Sequence, residues 1–239
     1  MYADSASVLL DSIQAPDELT DKDFAHWCML CGKVTDEAAT GLLPIYQWQR
    51  AQQWFTEHGT AEEQAQIDLY LGRAYVEDGE YDKAMQIYAD ALQLAKEHQA
   101  YNVAGYICAY MADLYGFRDI TSECLKKREE ACEFFKKAEN YKSYAYSLKD
   151  LAGEWAILDS FACTIPLLQK ADSISQLLHN KNLTAAIANA FALIYEMQGK
   201  YNEAETAYLK AISTRSEESY KDSIGLLKVY IPKFRSILV

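Results

Sequence analysis

The sequence predicts an all-α repeat protein, a right-handed superhelix of helical hairpins with a forty-residue period. Three observations lead there. First, apolar Leu71, Met111, Leu151 and Phe191 recur in one column, followed by small Gly72, Ala112, Ala152 and Ala192, then by aromatic Tyr75, Tyr115, Trp155 and Tyr195. Second, the other half of each period matches too, with Ala91, Ala131, Ala171 and Ala211 in register, and the echo extends back to Cys31, Gly32, Trp48 and Ala51. A fixed period of this length marks units that bury their apolar faces only against neighbouring units. Third, the apolar spacing is helical, as in Ile67, Leu71, Ala74 and Tyr75, and no stretch alternates with the period of a strand.

The elements follow in order. Val8, Leu9, Leu10 and Ile13 suit a leading helix near 3–13. A first hairpin is expected over 22–57, opened by Thr20 with Asp23 and carrying Pro44 early in its second helix, where a missing N–H is tolerated. The next spans 61–98. Thr60 with Glu63 forms a capping box, Gly79 breaks the pair, and Ala84, Tyr88, Ala91, Leu92 and Ala95 supply the second stripe. Hairpins over 101–138, 141–178 and 181–216 continue the register. Pro166 lies deep in its helix, which predicts a late start or a distortion there. A closing helix is expected from about 219, ended by Pro232. Ile231, Phe234, Ile237 and Leu238 are too apolar for a finished surface, so the tail folds back on the last hairpin or the chain continues. The whole of 1–239 reads as a single array.

Composition narrows the function. The 239 residues hold 35 acidic and 23 basic side chains, a net charge of −12, which repels nucleic acid and anionic membrane surfaces. No apolar run approaches the roughly 18 residues of a membrane span. Glycine loops for phosphate, HExxH and GxSxG are missing, so no catalytic residue is assigned and no cofactor is expected. His58 and His98 end second helices, where a basic group complements the helix dipole. Six cysteines, Cys28, Cys31, Cys108, Cys124, Cys132 and Cys163, fall mostly in columns of small or apolar residues and read as buried hydrophobes. Cys28 and Cys31 have CxxC spacing but no second ligand pair, so no metal site is assigned.

Leu71-Gly72, Tyr75, Gly79, Tyr81, Ala84, Tyr88 and Ala91, and again Phe191-Ala192, Tyr195, Gly199, Tyr201, Ala204, Tyr208 and Ala211, resemble the tetratricopeptide repeat (TPR). Its units usually have about 34 residues, and six more lengthen each helix by about 4–5 Å. Cys124, Arg128, Thr164 and Pro166 depart from the pattern in the middle units. The stretch from Ser5 to Thr35 is similar to the opening of bacterial long-repeat TPR proteins. In that group a lipoprotein signal precedes the repeats, and a membrane helix and a helix-turn-helix output domain follow.

The resemblance implies a non-catalytic scaffold for a protein or peptide, the sensing or interaction module of a larger regulatory protein. It also implies an extracytoplasmic chain anchored to a membrane through segments outside this sequence, with a cytoplasmic protein as the alternative. A structural self-assembly module, or a metal or redox domain built on Cys28 and Cys31, are the rival readings. TPR first helices line a concave groove. Carried over by column, its positions here are Tyr70, Arg73, Tyr106, Tyr110, Asp113, Tyr146, Lys149 and Asn189, beside Gln66, Leu69, Ala109, Asp150 and Glu196. The tyrosines suit binding anchors or packing against adjacent helices. Arg73 and Lys149 favour a ligand with an anionic group. The paired Lys, Asn and Arg of a C-terminal carboxylate clamp are replaced by Leu69, Arg73, Tyr110, Tyr146 and Asp150, so chaperone-tail chemistry is missing.

Overall fold

The computed structural model describes residues 8–10, 12–38 and 41–214, which are all-α and arranged as paired helices. A 3-10 turn at Pro16–Glu18 leads into α1 (Asp21–Ala38), α2 (Ile45–His58), α3 (Ala61–Glu77), α4 (Tyr81–Glu97) and α5 (Tyr101–Phe117). α6 (Thr121–Lys137), α7 (Tyr141–Ile157), α8 (Phe161–Leu177), α9 (Lys181–Met197) and α10 (Tyr201–Thr214) complete the set. The chain divides into two compact units, Met1–Glu139 and Asn140–Val239, each with its own core. Of the expected leading helix, residues 8–10 are helical and the Ser12 N–H donates to the Val8 carbonyl at 3.2 Å. Residues 3–7 and the expected closing helix lie outside the described residues.

α3 to α9 are each 17 residues long and end alike. Just past each helix one residue takes a left-handed conformation: Gly79 (φ 79°) and Gly199 (φ 71°), but also Gln99, Asp119, Glu139, Asp159 and His179, with φ between 48° and 56°. The next N–H then reaches back to close the turn, as from Glu80 to Tyr75 (2.9 Å), Ala100 to Ala95 (2.8 Å) and Ser160 to Trp155 (2.9 Å). This is the Schellman arrangement, which satisfies carbonyls the helix leaves open. It reverses the chain in three residues and therefore fixes the twenty-residue step.

Helix starts follow the side chains. At α3 the Glu63 N–H donates to the Thr60 hydroxyl and the Thr60 N–H to Glu63, completing the capping box. The Thr20 hydroxyl donates to Asp23 at 2.8 Å. Asn140 and Asn180 accept from the Ser143 and Leu183 N–H groups, both at 3.0 Å. Pro166 departs from expectation. α8 starts at Phe161 and runs through the proline, with no late start. The exposed ring forfeits one backbone bond, while Leu168 and Ala171 on the opposite side are fully buried and hold the helix in place.

The first unit packs by fitting rings against small residues. A Cβ on Gly32 would lie 2.4 Å from the Tyr70 ring, one on Gly72 2.2 Å from Tyr88, and one on Gly105 2.8 Å from Phe135. Those rings are core, with Trp48, Phe24, Phe55, Ile67 and Leu71 buried around them. In the second unit Ala152, Ala156, Leu168 and Ile194 form the buried cluster, flanked by Phe161, Ile165, Ala190 and Phe191. Two of the departing residues keep their columns' burial. Cys124 and Thr164 are both enclosed, and the Thr164 hydroxyl donates to the Ser160 carbonyl at 3.1 Å, removing the cost of an unpaired polar group.

Candidate functional site on the first helices

In the first unit, α3 and α5 bring together most of the residues expected to bind. The Arg73 guanidinium lies 5.0 Å from the Tyr110 ring centroid and 5.9 Å from that of Tyr70, within cation–π range. Tyr110 stacks in turn on Tyr88, with centroids 6.3 Å apart. Tyr106 stands edge-on to Phe135 at 4.8 Å. Arg128 of α6 donates to Asp113 at 2.7 Å. Arg73, Tyr106, Tyr110 and Asp113 are all half-buried, so each is both packed and partly presented.

Tyr70 corrects the reading. It is fully buried, stacked on Trp48 at 5.3 Å and fitted against Gly32. Its hydrophobic surface is already spent on the core, which removes it from the candidate binding positions. Two residues were missed. Tyr88 forms the floor beneath Tyr110, and burial pushes its phenol up, with Tyr110 and Asp113 adding to the effect and Arg73 opposing it. Its hydroxyl has no hydrogen-bond partner among the described residues. Arg128 replaces the aromatic of its column. That departure was visible in the sequence, and a cation in a core column signals a carboxylate partner, here Asp113.

In the second unit, Tyr146 is half-buried and the Lys149 ammonium sits 6.0 Å from its ring. Lys149 is also ion-paired with Asp150 beside it. The positive charge expected there therefore has a carboxylate partner on its own helix. Burial and Asp150 raise the Tyr146 phenol. Asn189 is half-buried on α9, and Tyr208 of α10 donates to Glu196 at 3.0 Å. A recess of about 250 Å³ lies elsewhere in the first unit, lined by Met29, Lys33, Thr60, Glu62, Glu63 and Gln66. Of the expected groove positions it includes Gln66 alone.

Cysteine chemistry is disfavoured by its surroundings. Cys28 is enclosed and donates weakly to the Gln47 carbonyl at 3.8 Å. Burial, with the neighbouring Cys31, pushes its thiol well up, whereas a metal or redox cysteine needs an accessible thiolate. Cys108 contacts Glu130 at 3.6 Å and is pushed up to about 12 by burial and that carboxylate. Burial works against the Glu130 carboxylate, but Lys127 and Lys96 outweigh it and hold the group low. Glu130 is therefore an anchor joining α4, α5 and α6. Cys28 and Cys108 are buried free thiols, and Cys163 is exposed. His58 ends α2, with Nδ1 3.0 Å from the Trp54 carbonyl and its ring stacked on that indole at 5.0 Å. The described residues hold no cluster of three or more metal-ligating side chains and no helix long and apolar enough to cross a membrane.

These surfaces are aromatic faces, one guanidinium and paired charges. Comparison with known proteins agrees with the fold. Tetratricopeptide-repeat models match residues 71–99 and 184–218. No curated protein matches it. Among solved structures it is similar to BtubC (BKLC) from P. vanneervenii, at 16% identity and TM-score 0.67 over 89% of both chains. It is also similar to nearly identical TPR-like repeats from Podosopora anserina, at 13% identity and TM-score 0.61, covering 86% of this chain and 98% of that one. Aspartyl phosphate phosphatase F from Bacillus subtilis matches at 10% identity and TM-score 0.64, over 89% of this chain and 68% of the other. At these identities the likeness is one of fold.

Proposed function

We propose that this chain is a non-catalytic interaction module that holds a protein or peptide segment against its first helices, as the sensing part of a larger regulatory protein. The observation that carries the reading is the half-buried set Arg73, Tyr106, Tyr110 and Asp113 on adjacent α3 and α5. Aromatic and arginine side chains held by their own neighbours make low-entropy anchors. TPR repeats are those of protein-interaction scaffolds, and the buried, high-pKa thiols of Cys28 and Cys108 weigh against the redox alternative.

Selection from a displayed peptide library, followed by affinity measurement on enriched peptides, tests it. Tyr110→Ala should weaken binding at least about tenfold while helicity is kept, because truncating a central anchor typically removes about 2 kcal/mol. Unchanged affinity in both Tyr106→Ala and Tyr110→Ala would move the site off this face. We further place the chain outside the cytoplasm, on the resemblance of its opening stretch alone. Fractionation of the native organism checks this, and recovery with cytoplasmic markers would overturn it.

A further inference from the structure

We propose that α7 and α9 of the second unit form a docking surface, centred on Gly153, for an uncharged aliphatic peptide segment of a partner. It uses none of the residues on which the first-unit reading rests and goes beyond that reading. The observation that carries it is a glycine with no packing role. Inside a helix, glycine destabilises relative to alanine. At Gly72 and Gly105 the rings of Tyr88 and Phe135 occupy the space of a Cβ, at 2.2 and 2.8 Å, so packing requires the glycine. Gly153 lies inside α7 with nothing within 4 Å of its missing Cβ. The position is half-buried, so the gap opens on the surface. A glycine of this kind lets another chain come close to the helix backbone.

The surroundings of the gap are aliphatic. Ile157 follows Gly153 by one turn of α7, and Leu193 and Met197 hold the same two columns on α9, which packs directly beside α7. Residues four apart share a helix face, so these positions make one patch. Ile157, Leu193 and Met197 are 69%, 45% and 51% exposed. In the first unit the same columns carry Arg73, Asp113, Glu77 and Phe117, so the aliphatic lining belongs to the second unit. Charge selects the occupant. Lys149, one turn back on α7, is paired with Asp150, and Asn189, one turn back on α9, offers an uncharged amide to a peptide backbone. Asn140–Val239 carries near-equal numbers of acidic and basic side chains, whereas the excess acid behind the net charge of −12 lies in Met1–Glu139. Neither an acidic nor a basic segment finds a surplus of opposite charge here. Area argues against a second copy. Three such side chains offer a few hundred square ångströms, an interaction patch, while a stable dimer buries about 800 Å² per partner.

Fluorescence anisotropy on the full chain tests the proposal, with a short labelled peptide, capped at both ends, in which leucine alternates with glutamine. The same peptide with aspartate or lysine in place of leucine should bind at least about tenfold more weakly. Gly153→Leu fills the gap and should weaken the leucine peptide at least about tenfold, as loss of a central anchor does, while helicity is kept and the thermal midpoint does not fall. Leu193→Asp should weaken it equally. Tyr110→Ala should leave this affinity unchanged, which separates the outcome from that of the first-unit site. No binding of the leucine peptide, equal binding of its charged counterparts, or affinity indifferent to Gly153→Leu would overturn the proposal. So would loss of affinity in Tyr110→Ala, which would move the peptide to the first unit. Sedimentation showing a dimer that Gly153→Leu dissociates would also overturn it, by assigning the surface to a second copy.

Discussion

Gly72 leaves no room for a methyl group, because the Tyr88 ring occupies that space at 2.2 Å. Gly72→Ala should therefore lower the urea midpoint, at a cost of about 1–3 kcal/mol, as overpacking typically does. Gly153, inside α7 with nothing within 4 Å of its missing Cβ, should respond oppositely, gaining about 0.5–1 kcal/mol on substitution by alanine. Asp68 is pushed up to about 6 from its ordinary 3.8 by burial, with Asp90 adding and the Gln52 hydrogen bond opposing. A raised carboxyl stabilises the fold below its unfolded value and loses that contribution as pH rises through about 6. Asp68→Asn, which still accepts from Gln52, should thus be near neutral at pH 4 and stabilising by up to about 3 kcal/mol at pH 7.5. An advantage independent of pH would assign the effect to packing instead. The burial of Tyr70 was not legible in the sequence. Its column holds Tyr110, Asp150 and Ala190 elsewhere, so column position alone does not fix exposure. α3 is packed on several sides, and only the structure shows Trp48 filling the side that Tyr70 faces.

At the scale of the helix, the turns were half legible. Gly79 announced its break, but five left-handed positions carry side chains, Gln99, Asp119, Glu139, Asp159 and His179, and no residue type marks them. Each endures a conformation that costs a side chain up to about 1–2 kcal/mol, held in place by the helices on both sides. Asp159→Gly should consequently raise the thermal midpoint, corresponding to a gain of about 1 kcal/mol. The same substitution one position away, at Leu158, where φ is −89°, should bring no gain. Pro166 was legible as an anomaly, yet its effect was overestimated. A lost hydrogen bond on an exposed face is a local penalty, and the buried opposite face of α8 is unaffected by it. Pro166→Ala should stabilise by up to about 3 kcal/mol without changing helix content.

At the scale of the molecule, the all-α class and the paired helices were legible because an apolar column is repeated in every hairpin, so coincidence at one position is corrected by the others. The repeats matched by family models, residues 71–99 and 184–218, are those whose turns keep Gly79 and Gly199. The middle of the chain preserves the backbone step with different residues, and burial of Cys124 and Thr164 shows that place in the column outlasts residue type. The division into two compact units was not legible, since the columns run through Glu139 and Asn140 without a break. The uniform step of seventeen helical residues and a three-residue turn also governs how such a gene can change. A slip of one codon inside a helix rotates every later side chain of that helix by about 100°, turning core outward until the next turn begins again. Whole forty-codon blocks, in contrast, can be copied or lost without disturbing their neighbours. A tandem copy of residues 61–100 inserted after Ala100 should therefore fold with one more hairpin, while a single alanine inserted after Leu92 should not be tolerated.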